Sequence, residues 1–350
     1  MTGVAQGGSA PTGAATGRFV TFGEVMLRLS PPGRQLLLQT PKLDVWVGGA
    51  EANVATQLAR LGHPTRFVSA VPANALGDAA LAQLRGAGVE VDHVQRRDGR
   101  MGLYFATLGA GPRATDILYD RAHSSFADAP ASAWDWDAIL SGADRLHLSG
   151  ITPALGPNGA EAATAAARAA TRLGVPVSFD GNYRARLWQA WDGDPRAILT
   201  ELVRHADVLF GNHRDISLLL GSAFGGEGPD RRREAADAAF AHFPRLRLIA
   251  STARHADDAD RNRISARIDT RDRHVQTEEV TVAGIVDRIG TGDAFAAGVL
   301  HALRSARGLE ETVRTGLALT VLKHSIPGDA ALFAQGDIDL FLDGVTDIRR

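Results

Sequence analysis

The sequence of 350 residues has no cysteine, and this absence excludes disulfide bonds, thiolate metal sites and cysteine nucleophiles. No apolar run is long enough to span a bilayer. The formal net charge of −2 gives no support to nucleic-acid binding. Residues 1–17 are rich in Gly, Ala, Thr and Ser and lack the apolar core of a signal peptide, so we expect a disordered tail there. Together these absences favour a soluble cytoplasmic protein with no nucleic-acid or membrane partner.

Several motifs of nucleotide-binding and metal-binding proteins are also missing. The chain has no Gly-x-x-x-x-Gly-Lys-Ser/Thr loop, which argues against a P-loop kinase. It has no Gly-x-Gly-x-x-Gly after its first predicted strand, which argues against an NAD-dependent dehydrogenase. The 11 histidines form no cluster with metal-ligand spacing. With 45% hydrophobic residues, the chain can still bury a full core.

A glycine-punctuated turn that opens onto a helical pattern is the first positive signal. It lies in residues 287–298 (DRIGTGDAFAAG), where Gly290 and Gly292 let the backbone approach a ligand closely. The free N–H groups at the start of the following helix favour a phosphate. Asp293 beside this anion site suggests phosphoryl transfer, with its carboxylate as the base for the acceptor hydroxyl. The alternative is an aspartate that only caps the helix.

A second small-residue turn, in residues 47–55 (VGGAEANVA), enters a helix that ends at Gly62. Together the two turns resemble the paired signatures of the PfkB (ribokinase-like) family of carbohydrate kinases. Further stretches resemble the 2-keto-3-deoxygluconate kinase branch of that family, namely residues 23–31 (GEVMLRLSP), 118–122 (LYDRA), 179–188 (FDGNYRARLW) and 322–329 (LKHSIPGD). The resemblance covers about residues 18–335.

Strand-like and helix-like segments alternate along most of the chain, which is the pattern of a parallel sheet. The predicted fold is α/β and ribokinase-like: a doubly wound, mostly parallel sheet flanked by helices, with a small β-sheet lid. The first buried strand is predicted at residues 18–26, and antiparallel additions at 264–268 and 275–282. We assign the kinase domain to residues 18–335, its lid to about 27–47 and 101–121, and tails to 1–17 and 336–350.

Residues 101–121 interrupt the alternation with two strand-like runs, which predict a hairpin. Period-two alternation places Ile117, Tyr119 and Arg121 on one face of its second strand. An Arg and a Tyr on one face suit the binding of an acidic, hydroxylated molecule, since Arg offers a carboxylate a bidentate partner. The alternative is an exposed edge hairpin with a solvated face.

The resemblance implies roles for individual residues. It assigns phosphoryl transfer to Asp293 and to the turn of Gly290, Thr291 and Gly292, where Thr291 is either a hydroxyl donor or a turn former. Substrate contacts are assigned to Gly49, Asn53, Tyr104, Tyr119, Arg121, Arg184, Asp293 and Asp329. Nucleotide contacts are assigned to Asn182, Arg184, Asn212, Thr252, Gly290 and Gly292. Asp329 in a turn is alternatively a solvated turn residue.

Two stretches depart from the family pattern. The family commonly has Asn-x-x-Glu near a divalent cation, whereas this chain has Asp215 three residues after Asn212, and we assign Asp215 to the metal. Where many relatives have a Gly-rich nucleotide loop, residues 252–260 (TARHADDAD) carry three acids, so we expect this loop to border the ribose or solvent.

The expected activity is therefore an ATP-dependent, Mg2+-assisted kinase that phosphorylates the 6-hydroxyl of 2-keto-3-deoxygluconate. Its partners are a small sugar acid and ATP. Alternatives are another sugar (fructose, 2-keto-3-deoxygalactonate or ribose) or a non-catalytic sugar or nucleotide sensor. An apolar outer face of the lid sheet would also offer a contact for a homo-oligomer.

Overall fold

The computed structural model describes residues 17–225 and 228–345. Its strands are β1 (Arg18–Phe22), β2 (Met26–Ser30), β3 (Asp44–Gly48), β4 (Thr65–Pro72), β5 (Val94–Arg97), β6 (Gly102–Thr107), β7 (Asp116–Asp120), β8 (Ala143–Ser149), β9 (Val177–Asp180), β10 (Val208–Phe210), β11 (Leu248–Ala256), β12 (Arg261–Asp269), β13 (His274–Gln276) and β14 (Val280–Ala283).

The α-helices are α1 (Ala50–Arg60), α2 (Ala75–Gly86), α3 (Trp136–Leu140), α4 (Pro157–Leu173), α5 (Ala185–Trp188), α6 (Pro195–Arg204), α7 (His213–Leu220), α8 (Gly228–His242), α9 (Thr291–Arg304), α10 (Leu309–Lys323) and α11 (Gln335–Leu342). Within the described ranges, none of them is long and apolar enough to cross a membrane.

The large sheet has the strand order β13-β12-β11-β10-β9-β8-β1-β4-β5, with β14 also paired to β12. The strands from β11 to β5 in this order pair in parallel, and β12 pairs antiparallel with β11, β13 and β14. The doubly wound, mostly parallel sheet predicted from the alternation is therefore confirmed.

Helices cover both faces of this sheet. On β1, Phe19 packs in the cluster of α1, α9 and α10, whereas Val20 packs in the cluster of α4, α6, α7 and α8. The two side chains separate because successive residues of a strand point to opposite faces. Burial on both faces explains why the central strands are apolar nearly throughout.

A separate four-stranded sheet has the order β3-β2-β6-β7 and is built from the segments that the sequence assigned to a lid. We call it the small sheet. β6 and β7 form the predicted antiparallel hairpin, with Tyr104 opposite Tyr119. β2 joins this hairpin in parallel through β6 and pairs antiparallel with β3. The small sheet predicted from the resemblance is thus confirmed.

The first strand begins at residue 18 as predicted but is shorter than the predicted 18–26, because β1 ends at Phe22 and β2 begins at Met26 in the other sheet. Gly23 allows the crossing, since a Cβ at this position would collide with the Glu51 carboxylate. The strand predicted at 275–282 is likewise two strands, β13 and β14, that pair with different parts of β12. Between them the Thr277 hydroxyl accepts the N–H of Ala266, which interrupts the ladder.

The two predicted tails are residues 1–17 and 336–350. Residues 1–16 and 346–350 lie outside the described residues. The assignment of a tail from residue 336 is wrong for its first part, because residues 335–342 form α11. Ile338 on this helix is fully buried against Ala318 and Leu319 of α10, and this packing makes the segment part of the domain.

Candidate active site

A cavity of about 720 Å³ lies at the carboxyl ends of the central strands and is covered by the small sheet. Its lining includes every residue that the sequence assigned to the site except Arg121. The assigned residues present are Gly49, Asn53, Tyr104, Tyr119, Asn182, Arg184, Asn212, Asp215, Thr252, Gly290, Thr291, Gly292, Asp293 and Asp329. The carboxyl ends of parallel strands meet at one edge of a sheet, and this explains why residues so distant in sequence come together.

The anion turn, residues 290–293, begins α9. Gly290 has φ 79°, and a Cβ there would collide with the backbone oxygen of Asp329, so only glycine fits. The Thr291 hydroxyl donates to Arg288 O over 3.0 Å, which supports its role as a turn former. At Gly292 a Cβ would meet no protein atom within 4 Å and would instead occupy the cavity. The Thr291 N–H donates to Arg288 O over 3.4 Å, so the turn presents the N–H groups of Gly290, Gly292 and Asp293 to an open space.

Asp293 lies in this turn, and a side chain from the second small-residue turn, residues 47–55, donates a hydrogen bond to it. Asn53 on α1 donates from Nδ2 to Asp293 Oδ2 over 2.7 Å. Burial raises the pKa of Asp293 to about 6, although the hydrogen bond from Asn53 opposes this rise. A carboxylate with this pKa is ionised near neutral pH and can accept a proton from a nearby hydroxyl.

Two further acids beside Asp293 have raised pKa values. Burial raises the pKa of Asp180 to about 7, with further contributions from the charges of Asp293 and Asp215. Burial also raises the pKa of Glu51 to about 8, and Thr152 donates to its Oε1 over 3.0 Å. No role was assigned to either acid from the sequence. The position of Asp180 at the end of an apolar strand was the signal that could have identified it.

Asp215, the predicted metal residue, caps α7. Its Oδ2 accepts the backbone N–H of Asn212 over 2.8 Å, while the Asn212 side chain accepts the N–H of Arg214, so the two form a capping box. Asp215 still lines the cavity, and burial raises its pKa. Among the described residues, no group of three or more His, Cys, Asp or Glu side chains is arranged to hold a metal ion directly.

A buried ionic network links the small sheet to the anion turn. Arg28 on β2 is 1% exposed, and its Nη1 lies 2.7 Å from Asp287 Oδ2 and 3.1 Å from Asp329 Oδ1. Tyr104 on β6 donates its hydroxyl to the other oxygen of Asp329. Lys323 on α10 donates to the backbone oxygen of Asp287 over 3.4 Å. Asp329 is thus a buried partner of Arg28 and not a solvated turn residue. An arginine within the apolar run of β2 was the signal for this network.

The structure places Arg121 in the interior, which differs from the prediction that it faces the cavity. Its Nε and Nη2 donate to Glu24 Oε2 over 2.8 and 2.5 Å, and its Nη1 is buried as well. Ser124 donates to the other oxygen of Glu24. Arg121 directly follows β7, where the strand alternation no longer fixes the direction of its side chain. Tyr119 and Ile117, within the strand, do line the cavity.

The stretch at residues 252–260 is not a loop at its start, because β11 continues to Ala256 and forms a hairpin with β12. Thr252 and Arg254 lie on one side of this strand, and both line the cavity. The expectation that the whole stretch borders the ribose or solvent is therefore incomplete, since Arg254 reaches the site.

Comparisons with known proteins agree with this geometry. A model of the pfkB family carbohydrate kinase matches residues 17–331. The chain belongs to the pfkB family of carbohydrate kinases. It is 33% identical to the 2-dehydro-3-deoxygalactonokinase of Haloferax volcanii over 94% of this chain and 98% of that protein. It is 27% identical to the 2-dehydro-3-deoxygluconokinase of Bacillus subtilis, over 89% of this chain and 90% of that protein.

A solved structure is similar over nearly the whole kinase. The crystal structure of 2-dehydro-3-deoxygluconokinase from Thermotoga maritima superposes with a TM-score of 0.89 at 36% identity, covering 95% of this chain and 100% of that chain. The family and the branch inferred from the sequence motifs are therefore confirmed, and the cavity is the candidate active site of a carbohydrate kinase.

Proposed function

We propose that this kinase transfers the terminal phosphoryl group of ATP to the 6-hydroxyl of 2-keto-3-deoxygluconate, also called 2-dehydro-3-deoxygluconate. The products are 2-keto-3-deoxy-6-phosphogluconate and ADP. The observation that carries this proposal is Asp293, held by Asn53 at an anion turn inside the cavity.

In the proposed reaction, the oxygen of the 6-hydroxyl attacks the terminal phosphorus of ATP, and Asp293 takes the proton of that hydroxyl. The bond from that phosphorus to the bridging oxygen breaks, and ADP leaves with the electron pair. The backbone N–H groups of Gly290, Gly292 and Asp293 stabilise the charge on the phosphoryl group during transfer. Tyr104, Tyr119, Gly49 and Asn53 line the sugar end of the cavity in this assignment.

Mg2+ fits the site as a companion of the nucleotide phosphates. This ion keeps several waters and uses one or two carboxylates together with substrate oxygens. Asp180 and Asp215 line the cavity and lie close enough for the charge of Asp215 to raise the pKa of Asp180. We assign these two carboxylates to hydrogen bonds with the waters that the ion keeps. The ion would neutralise charge on the nucleotide phosphates.

The galactonate epimer is the second candidate substrate, because the Haloferax volcanii relative is named for it. Both epimers carry a carboxylate. Arg184 lines the cavity, donates to Tyr183 O over 3.2 Å and lies close enough to Asp293 to lower the pKa of that carboxyl, so we assign it to the phosphoryl group during transfer.

The test is coupled ADP release with ATP and Mg2+ against both 2-keto-3-deoxy sugar acids, gluconate, fructose and ribose, run beside Asp293→Asn. We expect turnover on a 2-keto-3-deoxy sugar acid far above that on the neutral sugars, and a loss in the variant of about 10³-fold or more. Faster turnover on fructose or ribose would contradict the assigned substrate, and an active Asp293→Asn variant would contradict the assigned base.

We also propose that the kinase forms a homo-oligomer through the outer face of the small sheet. Val45, Leu29, Phe105 and Leu118 are neighbours across its four strands, and Val45 and Leu118 are 57% and 58% exposed. A second copy of the chain would cover this apolar row. Light scattering should give a multiple of the chain mass, and Leu118→Glu should reduce it. A monomeric wild-type mass at micromolar concentration would contradict the proposal.

A further inference from the structure

Two arginines on the lining of the active-site cavity have no partner in the described part of the chain. Arg254 lies on β11 two residues beyond Thr252, and Arg288 lies two residues before Gly290. Both side chains line the cavity. Within residues 17–225 and 228–345, neither guanidinium group forms a hydrogen bond or an ion pair. Unpaired guanidinium groups that face one cavity form a site suited to an anion with several oxygens.

No acid of the cavity neutralises these two arginines. Burial lowers the pKa of Arg254, and the nearby charge of Arg288 lowers it further, so the two cations repel each other. The acids of the cavity have other cations close by, namely Arg184 for Asp180, Asp215 and Asp293, and Arg28 for Asp329. The cavity therefore has an acidic end at Asp293 and a cationic side at Arg254 and Arg288.

The acids of the β11–β12 hairpin pair with residues other than Arg254 and Arg288. Asp257 lies 3.6 Å from Arg263, a surface residue of β12. Asp260 pairs with Arg34 and accepts the N–H of Gly111 over 3.0 Å. These acids thus pair with other groups and not with Arg254, although three acids follow it closely in sequence.

The position of Arg288 decides which anion the pair receives. In a six-carbon sugar acid, the carboxylate lies at the opposite end of the molecule from the 6-hydroxyl that reacts at the anion turn. Arg288 precedes that turn directly, so the anion beside it is a phosphate. We infer that Arg254 and Arg288 together bind the phosphate chain of the nucleotide, next to the phosphoryl group that is transferred. This inference rests on the proposed function and adds two specific binding residues to it.

The test measures equilibrium binding of ADP and of adenosine to the full chain by calorimetry, without sugar. The variants are Arg254→Gln, Arg288→Gln and the pair together, with Arg263→Gln as the matched surface control. We expect each single variant to weaken ADP binding by about 10- to 100-fold, because a charge-assisted hydrogen bond is lost. Adenosine binding should change by less than about twofold, and the control should bind both ligands like the wild type.

Thermal unfolding provides a second readout. Removing one of two repelling charges should leave the unfolding temperature of Arg254→Gln equal to or above that of the wild type, in contrast to the loss expected for a structural arginine. The wild type should be stabilised by tripolyphosphate, and the double variant should not.

Three results would overturn the inference. ADP binding that is unchanged in the double variant would remove the arginines from the phosphate site. Equal weakening of ADP and adenosine would mean that they only shape the pocket. A raised KM for the sugar acid with unchanged ADP affinity would assign them to the substrate carboxylate. A wild type that binds neither ADP nor ATP would instead overturn the proposed function.

Discussion

Asn53 Nδ2 lies 2.7 Å from Asp293 Oδ2, and this hydrogen bond joins two turns that are 240 residues apart in sequence. The bond favours the ionised form of the carboxyl and lowers the pKa of Asp293, whereas burial raises it, with a net value of about 6. The amide thus holds the proposed base in place and also favours its ionised form near neutral pH.

Asn53→Ala should therefore shift the pH dependence of the reaction. In the wild type, kcat/KM should rise with pH through about 6, because Asp293 must lose its proton to act as the base. Without the amide, the pKa of Asp293 rises, and the ascending limb should move to higher pH. A profile of kcat/KM between about pH 4.5 and 9 measures this shift. A variant with a lower rate but an unmoved limb would show that Asn53 acts only on the substrate.

Gly292→Ala should reduce activity without reducing stability. The added methyl group meets no protein atom within 4 Å and enters the space assigned to the phosphoryl group. Within a helix, alanine is favoured over glycine by about 1 kcal/mol, so the unfolding temperature should stay or rise. We expect a loss in kcat/KM of about tenfold or more.

Gly290→Ala is the matched comparison, since its Cβ would collide with the Asp329 backbone at a φ of 79°. This second variant should lose stability as well as activity. Thermal unfolding and kinetics of both variants measure the difference. Equal destabilisation of the two would contradict the assignment of Gly292 to the ligand space.

Glu51 should make the kinase less stable as pH rises. Its pKa is about 8 in the folded chain, against 4.5 as the ordinary value, because burial disfavours its charged form. Between these two values the folded chain keeps a proton that the unfolded chain releases, so the free energy of unfolding falls with increasing pH. The raised pKa values of Asp180 and Asp293, about 7 and about 6, also make the free energy of unfolding fall with increasing pH.

Glu51→Gln removes this titration and should be more stable than the wild type at about pH 8.5, with little difference at about pH 5. Urea denaturation at the two pH values measures the effect. A variant that is less stable than the wild type at the higher pH would show that the ionised carboxylate is stabilising.

The sequence predicted the large sheet and most of the cavity lining for a physical reason. A buried parallel strand is an apolar run, and the polar residue that follows it lies at the ligand edge, as Asp180, Asn212 and Thr252 do. Local pattern alone was sufficient to place these residues, although no role was assigned to Asp180 from the sequence.

Features that depend on distant partners escaped prediction. Arg121 pairs with Glu24, 97 residues away, and Arg28 pairs with Asp329, 301 residues away. Strand alternation gives a face but does not identify a partner of opposite charge. The helix at residues 335–342 was also missed, because it depends on Ile338 packing against α10 and on Asp337, which accepts the N–H of Ala334.

Arg121→Met should destabilise the kinase strongly. Both Arg121 and Glu24 are buried, so removing the guanidinium leaves an uncompensated carboxylate in the interior, at a cost of about 3–5 kcal/mol. Adding Glu24→Gln removes that charge and should restore much of the stability, since the amide can still accept from Ser124. Urea denaturation of the single and double variants gives the coupling energy.

The same double variant decides between the two positions considered for Arg121. If its guanidinium serves only Glu24, then restoring stability should return the KM for the 2-keto-3-deoxy sugar acid to within about threefold of the wild type. A KM that stays raised by about tenfold or more in a stable double variant would mean that Arg121 leaves Glu24 and contacts the substrate carboxylate when the sugar binds. The interior ion pair would then be the resting position of a substrate-binding arginine.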